Sequence, residues 1–250
     1  MSGFFEAMAL LTRVPTRGGA HTERAVPWLP VAGAFIGAIV AGIYAATRGV
    51  VGPAAAAALA VGAGILITGA LHEDGLADTA DAFGAGVSRE RTVEILKDPR
   101  HGTYGTLALV LSVVVRVAAL SGLTGGGALA ALPAAHAVSR AAAGWMLRRW
   151  PAATPDGLGA TYAAPVTSSQ AGVAVAIGAV AAVGLLGPWG LGAIALAALP
   201  AWGLGRLAAS KIGGITGDVL GAAQQLCEIG VLLLAAAAAH ASGAVGWWRG

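Results

Sequence analysis

Residues 171–209 read AGVAVAIGAVAAVGLLGPWGLGAIALAALPAWGLGRLAA. Two apolar runs, 171–187 and 191–209, flank Gly187-Pro188-Trp189-Gly190, and the one charge in the stretch is Arg206. Each run is near the ~17–25 residues with which a helix crosses a bilayer, and Gly and Pro break helices at the joint. The stretch therefore predicts a membrane hairpin, with Arg206 snorkelling toward an interface. Five more runs of the same kind can be drawn, at 31–47, 54–70, 107–123, 128–147 and 219–239. Gly49-Val50-Val51-Gly52-Pro53 and Thr124-Gly125-Gly126-Gly127 supply two more tight turns. Several runs are short, which tilt or a thinned bilayer accommodates. The expected fold is an all-α, polytopic transmembrane helical bundle of about seven spans. No repeat or linker marks a second unit, so 1–250 reads as a single integral membrane domain.

Composition agrees. Hydrophobic residues make up 57% of the chain and charged residues 11%, against about 25% charged in soluble domains. The 39 glycines suit helices that pack closely in lipid through small residues. The net charge of +3 is spread over short segments between apolar runs, with no basic stripe interleaved with aromatics, so nucleic acid is excluded as a partner. Cys227 is the single cysteine; it permits no internal disulfide and reads as a small buried side chain. Glu6 and Arg13 interrupt the first apolar stretch, which argues against a signal peptide. Phe4, Phe5, Met8 and Leu11 form one face of a short interfacial helix instead.

Most of the charge falls in segments 1–30, 71–106, 148–170 and 210–218, each separated from the next by two apolar runs. All four then lie on one side of the membrane. They carry Arg13, Arg17, Arg24, Arg89, Arg91, Lys97, Arg100, Arg148, Arg149 and Lys211. Positive residues favour the cytoplasmic side. The expectation is a multi-pass protein of the cytoplasmic membrane with its polar surface, and any active site there, facing the cytoplasm.

Segment 71–106 holds seven of the twelve acids. If 72–82 is helical, Asp74, Asp78 and Asp81 lie within about 60° of one another, because i, i+4 and i+7 share a face. Three carboxylates on one face repel unless a cation neutralises them. A hard, oxygen-loving ion such as Mg²⁺ fits, often held by one or two carboxylates plus substrate phosphates. A solvated acidic face is the plain alternative. It has to explain why Asp and Gly, both weak helix formers, stand at the helix start in Asp74-Gly75. Glu73 points about 100° away from this face and is left as an open question.

Three other polar groups stand out. Lys97-Asp98-Pro99-Arg100-His101-Gly102-Thr103-Tyr104-Gly105 offers Lys97 and Arg100 to a phosphate, or anchors the chain to the interface; His101 by itself suggests only a solvated loop histidine. Gly213-Gly214-Ile215-Thr216-Gly217-Asp218 opens the last run. Its glycines and Thr216 present N–H and hydroxyl groups to an anion, with Asp218 as a further metal ligand or a plain helix cap. Arg116, His136, Ser139, Arg140, Gln225 and Glu228 fall inside apolar runs, where ionisable groups mark function by default. Arg140 and Glu228 also suit a structural ion pair.

Three of these groups in this order, Leu71–Asp81, Lys97–Gly105 and Gly213–Asp218 with Gly221 and Glu228 beyond, resemble the cobalamin synthase family, membrane adenosylcobinamide-GDP ribazoletransferases. Leu11-Thr12-Arg13-Val14-Pro15 and Ser139-Arg140 also match, so the resemblance spans nearly the whole chain. It departs at Glu73, where other members have Leu, and at Tyr104, where some have His, so it assigns no role to position 73 or to an imidazole at 104. The resemblance implies a late step of coenzyme B12 biosynthesis. The 3′-hydroxyl of α-ribazole, or of its 5′-phosphate, attacks the activated phosphoryl group of adenosylcobinamide-GDP and releases GMP, with Mg²⁺ as cofactor. On that reading Asp74, Asp78, Asp81 and Asp218 are metal ligands. Asp81 is the first choice of base, His72 orients a carboxylate, and Lys97, Arg100, Gly213, Gly214 and Thr216 meet the phosphates. Partners would be those two substrates and the lipid bilayer, and the reading also admits a homo-oligomer or association with other corrinoid-pathway enzymes.

Two other functions compete. A CDP-alcohol phosphotransferase making phospholipid also sets aspartates on membrane-helix turns, but its Ala-Arg pair after Asp-Gly is replaced here by Asp78-Thr79. A cation transporter would line several spans with charge near the midplane, whereas these acids concentrate at one surface.

Overall fold

The computed structural model describes residues 2–15, 22–153, 166–245 and 248–249; Arg17 lies outside them. Helix α1 (Ser2–Leu11) and the short α2 (Thr22–Ala25) precede α3 (Leu29–Val51) and α4 (Pro53–Thr68). Then come α5 (Leu71–Gly84), α6 (Arg89–Ile95), α7 (Thr103–Ser121) and α8 (Gly125–Arg149). The last helices are α9 (Ser168–Leu186), α10 (Trp189–Ile212) and α11 (Gly217–Ser242).

All seven apolar runs are helices, namely α3, α4 and α7 to α11. Five of them, α3, α7, α9, α10 and α11, are long and apolar enough to cross a membrane on their own. The other two differ for physical reasons. Helix α4 has 16 residues and passes only together with α5, from which it is bent by 89°. Helix α8 has 25 residues, but His136, Ser139 and Arg140 dilute its hydropathy. It is buried along most of its length, so lipid does not meet those polar groups.

The bundle is organised around α3, α8 and α11, with α7, α9 and α10 exposing most of their surface. Backbones approach closely where small residues allow it. A Cβ on Gly37 would lie 2.6 Å from the Leu132 carbonyl oxygen, and one on Gly33 would lie 2.5 Å from that of His136. The charged segments gather at one end. The Arg13 N–H donates to the Ile67 carbonyl at 2.9 Å, the Ile215 N–H to the Pro151 carbonyl at 2.8 Å, and Arg89 lies over Gly213. Away from that end, Tyr44 Oη donates to the Leu123 carbonyl at 2.8 Å, just before the turn into α8.

A buried polar network ties four helices together. Arg140 Nη1 lies 2.7 Å from Glu228 Oε2, and His136 Nε2 lies 3.5 Å from Glu228 Oε1. Arg116 Nη1 reaches Glu73 Oε1 at 3.0 Å and Glu228 Oε1 at 3.7 Å. Gln224 Nε2 donates to Glu228 at 3.1 Å and Gln225 Nε2 to Glu73 at 3.0 Å. The Arg140–Glu228 pair is thus present, and Glu73, left open above, is a buried member of the same network. Two carboxylates face two guanidinium groups. That balance is what lets charge stay inside a span.

Two outcomes are expected. A Cβ on Gly75 would sit 2.7 Å from the Asp218 carbonyl oxygen and 2.9 Å from its Cα. Because backbone cannot yield as a side chain can, Gly75→Ala should cost about 1–3 kcal/mol in unfolding of the detergent-solubilised protein. Gly62→Ala, which meets nothing within 4 Å, should be neutral. Glu228→Leu should cost roughly 3–5 kcal/mol by leaving Arg140 without its counter-charge, while Glu228→Leu with Arg140→Met should recover much of that loss in the same measurement.

Candidate active site

The site begins at the bend between α4 and α5. Gly69 (φ +65°) and Ala70 (φ +58°) are both left-handed. For Ala this costs roughly 1–2 kcal/mol, offset by its N–H, which donates to the Ile65 carbonyl and closes α4. The chain then turns through 89°, and α5 lies across the charged end of the bundle. Residues 72–82 are helical as expected. One face, including His72, Glu73, Gly75, Leu76 and Thr79, is buried. The opposite face carries Asp74, Asp78 and Asp81, with Asp74 exposed and the other two half-buried.

The absence of a side chain at Gly75 lets α5 cross the first turn of α11, bringing Asp218 beside Asp74 and Asp78. Thr216 caps α11 by accepting from the Val219 N–H at 3.3 Å, and its hydroxyl donates to Asp218 Oδ2 at 3.2 Å. His101 closes the group from the loop before α7, with Nδ1 3.5 Å from Asp78 Oδ1 and Nε2 3.9 Å from Asp74 Oδ1. Burial, and then the charges of Asp74 and Asp218, raise the Asp78 carboxyl to about 6, against the opposing pull of His101. Among the described residues no Lys or Arg pairs with Asp74, Asp78 or Asp218. Nor do three or more His, Cys, Asp or Glu side chains converge as a complete metal-ligand set.

Other expected site residues are placed differently. Both Asp81 oxygens serve the start of α7, Oδ2 accepting from the Gly102 N–H at 2.6 Å and Oδ1 from the Gly105 N–H at 2.9 Å. Asp81 thus anchors two segments and satisfies N–H groups at a helix N-terminus. His72 is buried and its Nδ1 has no hydrogen-bond partner among the described residues, so no carboxylate is oriented through that atom. The Gly213 N–H donates to the Ala209 carbonyl, ending α10. A Cβ on Gly214 would meet the 151–153 backbone, to which Ile215 is hydrogen-bonded. The Gly213–Thr216 segment is therefore a joint between elements, with Gly213 and Thr216 already engaged. Lys97 is exposed. Arg100 is also exposed and closes on Asp98 through two bonds of 2.9 and 2.7 Å, which hold the Asp98 carboxyl down at about 2.

The contacts of several contributors could not be read from the sequence. Gly102 and Gly105 bind Asp81 through their amides, and Gly221 crosses His72 and Gly75 at close range. Ser112 and Gln224 extend the buried network. Only the small-residue pattern hinted at the glycines. A cavity of about 230 Å³ opens beside the acids, between α1, α3, α5, α8 and α11, with Asp74, Asp218, His72 and Arg140 in its wall.

Comparison with known proteins adds what geometry leaves open. The family model described as cobalamin-5-phosphate synthase matches residues 3–236. A Bradyrhizobium diazoefficiens protein named adenosylcobinamide-GDP ribazoletransferase is 46% identical over 226 residues, covering 89% of this chain and 86% of that protein. Proteins of the same name from Azorhizobium caulinodans and Sinorhizobium medicae are 43% and 42% identical, covering 91% and 90% of this chain and 92% of each relative. No solved structure matches. Since the match runs through α5, the His101 loop and the first turn of α11 alike, the whole acidic site falls within it, and the chain belongs to the cobalamin-5-phosphate synthase family.

Proposed function

We propose that this chain is an adenosylcobinamide-GDP ribazoletransferase, acting with Mg²⁺ at the acidic end of the bundle. The observation that carries the reading is the pair Asp74 and Asp78 on one face of α5, near Asp218 of α11 and unpaired by any lysine or arginine among the described residues, in a chain of this family. The family membership favours neither the phospholipid synthase nor the cation transporter.

The donor set fits Mg²⁺. It offers hard oxygens, and burial first, then the neighbouring carboxylates, raise Asp78. Two carboxylates completed by water and substrate phosphate are a usual arrangement for this ion, so a complete protein ligand set is not required. Asp74 and Asp78 are the principal ligands, with Asp218 alongside. When bound, the ion neutralises charge developing on the diphosphate. The 3′-hydroxyl oxygen of α-ribazole, or of its 5′-phosphate, forms a bond to the cobinamide-side phosphorus. The bond from that phosphorus to the GMP oxygen breaks, and GMP leaves. His101, resting against Asp74 and Asp78, takes the hydroxyl proton; histidine is the side chain suited to proton exchange near neutral pH. Lys97 and Arg100, on the same exposed stretch as His101, hold the diphosphate, Arg100 exchanging Asp98 for phosphate. The arginine and lysine bias of this end supports a site that faces the cytoplasm from the cytoplasmic membrane.

The deciding assay supplies adenosylcobinamide-GDP, α-ribazole and Mg²⁺ to the purified protein in lipid. Corrinoid product and GMP should appear together, and the absence of both would overturn the reading. Asp74→Asn and Asp78→Asn should each lower kcat/KM at least ~100-fold with the fold intact, whereas Glu94→Gln, on the exposed Arg91–Glu94 pair, should leave it unchanged.

The Asp78 shift also gives a pH signature. Its folded value, about 6, lies above the ordinary one, so its contribution to stability is present at low pH and lost as pH rises through about 6. Without divalent ions the melting temperature should therefore fall across that window. Added Mg²⁺ should restore it at pH 7.5 and do little at pH 5, because metal binding displaces the proton. A melting temperature indifferent to Mg²⁺ at pH 7.5 would remove the metal from the site.

A further inference from the structure

The 230 Å³ cavity beside the acids has two unlike ends. Asp74, exposed, and Asp218, half-buried, stand at one. Arg140, 2% exposed, and Gln224, 1% exposed, stand at the other with buried His72. The wall between them is apolar, built from Leu11, Leu29, Leu71, Leu147 and Leu220. At the buried end Arg140 Nε and His72 Nδ1 have no hydrogen-bond partner among the described residues. Gln224 Oε1, an acceptor, is unpartnered there too, and all three atoms are covered by protein.

We propose that the cavity seats the benzimidazole ring of the nucleoside substrate, an inference that rests on the ribazoletransferase reading. Its volume lies below the ~300–1,000 Å³ of pockets that enclose drug-sized molecules. It has room for one fused bicyclic ring and is too small to enclose a corrin. Of the three ring systems other than the corrin, adenine and guanine carry several donors and acceptors that would each need a partner, and leucine supplies none. An alkylated benzimidazole is apolar except for one ring nitrogen, the one group left for the few polar residues of the buried end, Arg140, His72 and Gln224, to accommodate. With the base seated inward, its ribose emerges at Asp74 and Asp218, where its hydroxyl is needed. The cavity thus orients the nucleophile, and Ala143, Leu147 and Leu220 set which bases enter.

The test uses the full-length protein in nanodiscs. Equilibrium binding of labelled α-ribazole is measured without corrinoid substrate, and KM is measured separately for each substrate. Ala143→Leu and Ala143→Phe, and Leu220→Phe from a different helix, fill the cavity to increasing or independent degrees. Expected are a graded rise in α-ribazole Kd and KM, at least tenfold for Ala143→Phe, and an adenosylcobinamide-GDP KM within twofold of the parent. The riboside of unmethylated benzimidazole should bind roughly tenfold more weakly than α-ribazole, and guanosine should not displace it. If the filled variants fold and turn over with unchanged α-ribazole KM, or guanosine competes equally, this inference falls and the ribazoletransferase reading stands. Displacement of α-ribazole by a free fatty acid alone, with no effect of filling on KM, would assign the cavity to lipid. If the parent makes no product at all, the underlying reading falls instead.

Discussion

Glu228 is the constraint on which the arrangement depends. It is buried inside a span, and a carboxylate there persists only if it is paired. Its partners come from two other helices, Arg140 and His136 from α8 and Arg116 from α7. Arg116 in turn holds Glu73 of α5. Four helices are therefore tied into one register by a group of balanced charges, in surroundings where hydrophobicity gives little preference for one helix contact over another.

That tie reaches the site through a single residue step. Glu73 and Asp74 are neighbours on α5, and neighbours on a helix point about 100° apart. Once Glu73 is fixed inward by Arg116 and Gln225, Asp74 and Asp78 have to face outward. The two consecutive left-handed residues, Gly69 and Ala70, set α5 across the bundle end, and Gly75 sets how near it comes to Asp218. Rotation, tilt and distance of the acidic helix thus have separate causes, and none of them lies in the acids themselves.

The same separation explains what could be read from the sequence. The seven runs and the Asp74/Asp78/Asp81 face were legible because hydropathy and a 3.6-residue period are local properties. Glu73 could be set aside from that face, but its partner Gln225 lies 152 residues away, and no local pattern encodes that contact. What Asp81 touches depends on where α7 begins. The period places it correctly on the face, yet two amides arriving from Gly102 and Gly105 engage it. Gly213-Gly214-Ile215-Thr216 was ambiguous for another reason: a helix end, a tight joint and an anion loop all call for glycine and a hydroxyl, and the hydrogen bonds here are those of a helix end and a joint.

The charges of this molecule divide by depth, and function follows the division. Inside, two acids meet two arginines and the sum is neutral, an arrangement that stabilises a fold and offers no path for an ion. At the end of the bundle Asp74, Asp78 and Asp218 stand together with no arginine or lysine against them among the described residues. Lipid would not tolerate that crowding, but water does, at the cost of a raised Asp78. An excess of carboxylate at the surface, above a cavity whose far wall is the neutral network, can receive a cation and a polyanion on one side and an apolar ring on the other. Arg140 belongs to both regions, holding Glu228 with Nη1 while it lines the cavity. The charge balance that keeps the bundle folded therefore also shapes the wall against which a substrate would rest.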